Sequence, residues 1–140
     1  MVTLANLRQA LAFPAEAAEF VCQTAINLYK SPQQESLVTQ AAAGRHLRPI
    51  ALPKEPESEV KAIEVCLCED DYPGWLAIAD LPHLKPAPTP YQPTPLTREA
   101  IQTRLPAVIA FTQAAMAQPN EYLWGGTVGP NYDCSGLMQT

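Results

Sequence analysis

The sequence predicts a small all-β barrel, a proline-rich linker and then a helical segment. Three observations predict this order. Short apolar or β-branched runs alternate with turn formers between residues 19 and 84, five prolines crowd into "KPAPTPYQPTP", and the apolar period after them lengthens to steps of three and four.

The barrel strands are read from "EFVCQTA", "SLVTQA", "HLRPIAL", "AIEVCLC" and "GWLAIAD", separated by "KSPQQE", "AAG" and "DDYPG". Five such runs in so short a stretch suit a closed or nearly closed sheet. "PKEPESE" reads as a solvated loop. A proline at nearly every second position cannot enter a helix or a central strand and favours extended geometry, so 85–96 reads as a semi-rigid linker. Beyond it, Ile101, Leu105, Val108, Ile109, Thr112, Ala115 and Met116 recur at helical spacing, which predicts a helix with one buried face and Met116 in its packing. Thr97 is the expected N-cap, with Glu99 in the first turn. Pro106 predicts a kink or two abutting helices. The predicted divisions are an extension at 1–18, the barrel at 19–84, the linker at 85–96 and a second unit at 97–140.

Composition narrows the function. The 140 residues are 47% hydrophobic and 16% charged with a net charge of -5, so no basic field is available for phosphate backbones or anionic lipid. Nucleic acid and membrane are not expected partners. No apolar run reaches the length of a membrane span. The N-terminus carries Arg8 after an apolar start and turns acidic at Glu16 and Glu19, the reverse of a secretory signal, which favours a cytoplasmic location. The four cysteines, Cys22, Cys66, Cys68 and Cys134, match no zinc spacing. Cys66 and Cys68 share one face of a strand and read as small buried hydrophobes. No metal or cofactor is expected.

Cys134 is different. "YDCSGLMQT" has the pattern of a loop running into a helix that opens at the cysteine, where free backbone N–H groups favour a thiolate and can receive an oxyanion during acyl transfer. Gly136 would allow close approach to the first turn, and Gly125, Gly126 and Gly129 would shape the way in. The same residues also read more simply, as a small buried cysteine with Asp133 capping a helix.

The wider pattern, "YLWGG", seven residues, then "DCSGL", resembles the nucleophile segment of the NlpC-type cell-wall cysteine peptidases, a papain-like family. Upstream, "INLYKSPQQESLVTQAAAGRHLRPI" followed by "DDYPGWLAIADL" resembles a bacterial SH3-like domain. The two in this order resemble the γ-D-glutamyl-diamino-acid endopeptidases, which act on peptidoglycan stem peptides with a free N-terminal L-Ala. The resemblance implies that 97–140 is the N-terminal helical part of an α+β papain-like domain, and that the barrel walls off the cleft so that a free amino end fits.

Residue by residue, the resemblance makes Cys134 the nucleophile and has Asp133 and Ser135 meet the substrate's terminal amine and backbone. Tyr72 reaches the cleft from the barrel, Trp124 forms an aromatic wall, and Glu35 also meets the amine. Each has a plainer alternative: core packing for Trp124, turn packing for Tyr72, a solvated turn charge for Glu35. The family's base is a histidine that follows the nucleophile. His46 and His83 both precede Cys134, match no family position and read as surface or packing residues. The expectation is therefore a chain that stops after the first turn of the catalytic domain, is inactive by itself, and leaves apolar helix surface exposed. The alternative is a non-catalytic module that binds cell-wall peptides. Diaminopimelate and lysine remain equally open as the residue after γ-D-Glu.

Overall fold

The structure, a computed structural model, describes residues 1–12, 18–51, 56 and 58–139. Most of "PKEPESE" falls outside the described residues. Seven strands form one antiparallel sheet: β1 Phe20–Cys22, β2 Ile26–Tyr29, β3 Leu37–Ala41, β4 His46–Ala51, β5 Ala62–Leu67, β6 Pro73–Ala77 and β7 Leu84–Pro86. Their order is β3-β2-β6-β5-β4-β1-β7. Leu28 from one end of this order and Leu84 from the other join a single core cluster with Leu47, Ile63, Val65 and Leu76. Period-two alternation produces that core: in β2, Ile26 and Leu28 point inward while Asn27 and Tyr29 face out.

Five strands were expected and seven form. "EFVCQTA" contains β1 alone, and the two strands not expected are β2, just beyond it, and β7; β1 pairs with β4 and β7 whereas β2 pairs with β3 and β6. The chain changes its place in the sheet at residues 23–25. Gln23 fixes that break: its N–H donates to the His83 carbonyl at 2.8 Å and its side chain donates to the Leu84 carbonyl at 3.2 Å. "GWLAIAD" is likewise divided, β6 giving way to a 3-10 helix over Ile78–His83.

The first residues are part of the barrel. Helix α1, Leu4–Ala12, buries Leu4 and Leu7 in the core beside Val2. It opens with a reciprocal cap in which the Thr3 N–H donates to Asn6 Oδ1 at 2.9 Å and the Asn6 N–H to Thr3 Oγ1 at 3.4 Å.

The linker also begins inside the sheet. β7 includes Lys85 and Pro86, and an edge strand tolerates proline because no ladder donor is lost there. Glu19 then straps the proline run down: its Oε2 accepts from the Tyr91 N–H at 2.7 Å and lies 2.8 Å from His46 Nδ1. His46 is thus a packing residue, with its ring against Tyr91.

Helix α2 runs Arg98–Ala117 as one helix through Pro106, not as the expected alternative of two abutting helices, and Thr97 caps it by accepting from the Ala100 N–H at 3.2 Å. The expected buried face is a correction: no residue of α2 is buried, and Met116 is 78% exposed instead of packed. The spacing is helical, but among the described residues nothing covers the stripe. No helix among the described residues is long and apolar enough to cross a membrane.

Leu7 and Leu105 should therefore behave oppositely. Leu7→Ala is expected to lower barrel stability by about 2–5 kcal/mol, and Leu105→Ala to change it by no more than about 0.5 kcal/mol. Urea unfolding followed by tryptophan fluorescence measures both.

Candidate functional site

The segment from Glu121 to Asp133 is a loop closed on itself. The Leu123 N–H donates to the Tyr132 carbonyl at 3.3 Å, the Asp133 N–H to the Gly126 carbonyl at 3.1 Å, and the Glu121 N–H to Asn131 Oδ1 at 2.8 Å. This loop lies on β3. Gly125 has φ of +75°, and a Cβ there would stand 2.7 Å from the Val38 carbonyl carbon. Only glycine meets both the left-handed backbone and the close approach. Beside it, Gln40 holds the loop with three contacts: its Oε1 accepts from the N–H groups of Thr127 and Val128, each at 3.1 Å, and its carbonyl accepts from Thr127 Oγ1 at 2.5 Å. Asn27 on β2 orients the amide by accepting from Gln40 Nε2 at 2.9 Å.

The loop delivers the chain into α3, Cys134–Gln139, so the helix opens at the cysteine as the sequence predicts. Asp133 is its cap. Oδ1 accepts from the Gly136 N–H at 2.6 Å and from Ser135 Oγ at 2.9 Å, while Oδ2 accepts from the Gly125 N–H at 2.8 Å. Burial alone would raise this carboxyl, but these hydrogen bonds favour its charged form and together hold it below the ordinary carboxylate value. Gly136 packs directly on the Gly126 carbonyl, with no room for a side chain.

The result is a cleft of about 150 Å³ between the barrel and the tail, and Tyr72, Trp124, Asp133, Cys134 and Ser135 all line it. Five of the six residues singled out in the sequence meet there. Trp124 is 70% exposed, so it is a wall and not core, and Tyr72 is 42% exposed. Glu35 does not join them. It is exposed in the turn before β3 and outside the cleft lining, as the solvated turn charge that its local sequence suggests. Neither His46 nor His83 lines the cleft.

Cys134 is also the exposed thiol. Cys22 and Cys66 are buried and Cys68 is partly so. Burial, with acidic neighbours, pushes Cys22 and Cys68 up to about 12, and burial raises Cys66 as well. Among the described residues no group of three or more His, Cys, Asp or Glu side chains is placed to hold a metal.

Sequence reasoning missed Val38, Thr39 and Gln40, which form the floor of the cleft and the clamp beneath it. The available signal was weak: a lone glutamine on a strand next to buried Thr39 and Ala41 reads as an ordinary outward polar residue.

Residues 28–81, from β2 into the 3-10 helix, match the family model of the bacterial dipeptidyl-peptidase SH3 domain. The barrel is similar to that SH3 domain over this span. No curated protein matches the chain. The matched span contains Gln40 and Tyr72, so the barrel's share of the cleft lies within the span that resembles the SH3 domain and the thiol lies outside it.

Because Asp133 titrates below the ordinary carboxylate value, its cap contributes fully above that ordinary value and is lost as pH falls through the depressed one. Acidification is therefore expected to release α3 before the barrel unfolds, seen as faster amide exchange at Gly136 while Ile63 and Leu76 stay protected. In Asp133→Asn, which keeps an acceptor and removes the charge, that pH step should vanish.

Proposed function

We propose that the cleft is the acyl-transfer site of a cysteine peptidase that acts on peptidoglycan stem peptides, at the γ-D-glutamyl-diamino-acid bond, with a free N-terminal L-Ala held at the barrel side. The meeting of Cys134, Asp133, Ser135, Trp124 and Tyr72 in one cleft carries this reading. The match of the barrel to a domain named for bacterial dipeptidyl-peptidases is consistent with a peptidase-associated or cell-wall-binding role.

In the proposed reaction the Cys134 thiolate adds to the γ-D-glutamyl carbonyl. The tetrahedral oxyanion collapses to a thioester as the diamino acid leaves with a proton, and water then hydrolyses the thioester. Ser135 and the Tyr72 hydroxyl offer acceptors to the L-Ala ammonium, and the Asp133 carboxylate, held by hydrogen bonds from Gly125, Ser135 and Gly136, adds its negative charge at that end. Asp133 then has two tasks, capping α3 and tuning the amine end of the cleft. No imidazole is among the residues lining the cleft, so protonation of the leaving amine needs an acid from elsewhere. The proposal places this activity in the turnover of cytoplasmic peptide fragments.

That same observation favours a second reading for the 140 residues by themselves, a binding module without turnover. Both are tested by giving the purified chain L-Ala-γ-D-Glu-diaminopimelate. The expected result is saturable binding, weakened about tenfold (~1.4 kcal/mol) by Tyr72→Ala, with no release of diaminopimelate. Release would show that the cleft supplies its own acid. Binding unchanged by both Tyr72→Ala and alkylation of Cys134 would remove the cleft from the account.

A further inference from the structure

On the far side of Tyr72, outside the reach of the substrate proposed above, the barrel carries a second concavity. This groove of about 380 Å³ is lined by Tyr72 together with Tyr29, Lys30, Glu64 and Trp75. The sheet register builds it: Tyr29 on β2 stands opposite Trp75 on β6, and Trp75 stands opposite Glu64 on β5. The Tyr29 and Trp75 rings are half-buried on a hydrogen-bonded sheet, so the platform is rigid before any ligand arrives. From β2 to β5 it crosses about 10 Å.

The side chains of the groove offer a ligand mostly donors. The Tyr29 hydroxyl accepts from Asn27 Nδ2 at 3.4 Å, which leaves its own O–H to donate. Trp75 brings an indole N–H, Tyr72 a phenol and Lys30 an ammonium, and among the described residues none of these three side chains has a hydrogen-bond or ion-pair partner. Glu64 is the exception, an anionic acceptor on the β5 side. A ligand that suits this set is rich in acceptors and poor in donors. An ordinary extended peptide brings an N–H for every carbonyl, whereas a proline-rich one brings carbonyls and omits N–H groups. Its polyproline geometry costs little entropy to hold, and prolyl rings pack on aromatic faces.

The chain contains such a segment. Gln92, Pro93, Thr94, Pro95 and Leu96 are exposed and belong to no strand or helix, and the Tyr91 N–H on Glu19 is the last hydrogen bond tying this run to the barrel among the described residues. In polyproline geometry these five residues cover about 15 Å, enough to cross the groove. Arg98 follows closely and supplies a cation for Glu64. Within one copy the run does not meet the groove: it leaves from β7, at the opposite end of the strand order from β3 and β2, and no linker residue lines the groove. We propose that the groove is the docking site for residues 92–98 of a second copy of this chain, with Pro93 and Pro95 on the Trp75 and Tyr29 rings, their carbonyls accepting from the groove donors and Arg98 directed to Glu64. Reciprocal exchange of the two runs gives a two-fold dimer. This assignment stands on the groove and the linker and is independent of the reaction proposed above.

The test uses the full chain in two measurements. Sedimentation equilibrium reads its self-association, and a synthetic peptide of residues 90–98, PYQPTPLTR, titrated into dilute protein reads the groove through the Trp75 indole N–H and the Glu64 amide. The expected results are a reversible dimer and peptide shifts at Trp75 and Glu64 but not at Val21. Trp75→Phe, which keeps a ring and removes the donor, and Glu64→Gln should each weaken dimer and peptide binding about fivefold. The double change Pro93→Ala and Pro95→Ala, in the chain or in the peptide, should do the same; both prolines are exposed, so barrel folding is not at stake. Trp75 unshifted by the peptide, or equal binding once both prolines are replaced, overturns the docking site. Peptide binding by a chain that stays monomeric overturns the second copy as its occupant. A dimer indifferent to Trp75→Phe and to the proline changes is joined by another surface, such as the exposed face of α2, and removes the groove from the interface.

Discussion

The tail from Glu121 to Gln139 holds its shape by lying against β3. Of its residues only Gly125, Gly126, Thr127 and Gly136 are buried, and three of these are glycines with no side chain to contribute to a core. Burial here comes from backbone meeting backbone, and the gap such an approach leaves in hydrogen bonding is filled by Gln40. Every feature of the cleft follows from that contact. Trp124 is turned outward because Gly125 turns the chain inward, and Asp133 can reach the Gly125 N–H because the loop is closed.

Asp133 links this docking to the chemistry. One carboxylate ties the start of α3 to Gly125, so the cysteine at the helix opening is fixed relative to the barrel and not merely to its own helix. Tyr72 approaches from the β5–β6 turn, where Asp71 takes a φ of 54° and pairs with Arg48 at 2.8 Å. The thiol and the phenol thus come from segments more than sixty residues apart, placed by one strand edge.

What the sequence made legible was local. The run from Trp124 to Gly126 and from Asp133 to Leu137 is informative because glycine at a close approach and aspartate at a helix start each have a short-range physical cause. The Thr97 cap and the α2 period were legible for the same reason. Sheet order was not: that Ile26–Tyr29 is a separate strand depends on where the chain crosses the barrel, and no period within seven residues reports it. Helix α1 was hidden because its cap pairs threonine with asparagine in place of the usual glutamate, and its nine residues allow little periodicity to accumulate. The helical stripe of α2 is apolar as read; its period alone implied a buried face, whereas the exposed apolar surface expected from the resemblance is what the structure has, since sequence reports what a face would prefer and not whether anything meets it. Glu35 and Gln40 show the limit from both sides. The charged residue that suggested a site lies in solvent, and the unremarked amide on β3 holds the site together.

The most direct test of this account is the distance between the thiol and the barrel in solution. A nitroxide attached to Cys134, the exposed cysteine, broadens amide resonances near it. Docking on β3 predicts strong broadening at Val38, Thr39 and Tyr72, little at Val21 and Lys85 on the far end of the strand order, and loss of the contrast in Gln40→Ala. Weak, uniform broadening across the barrel in the unsubstituted chain would show that the tail does not rest on β3, and the cleft would not exist.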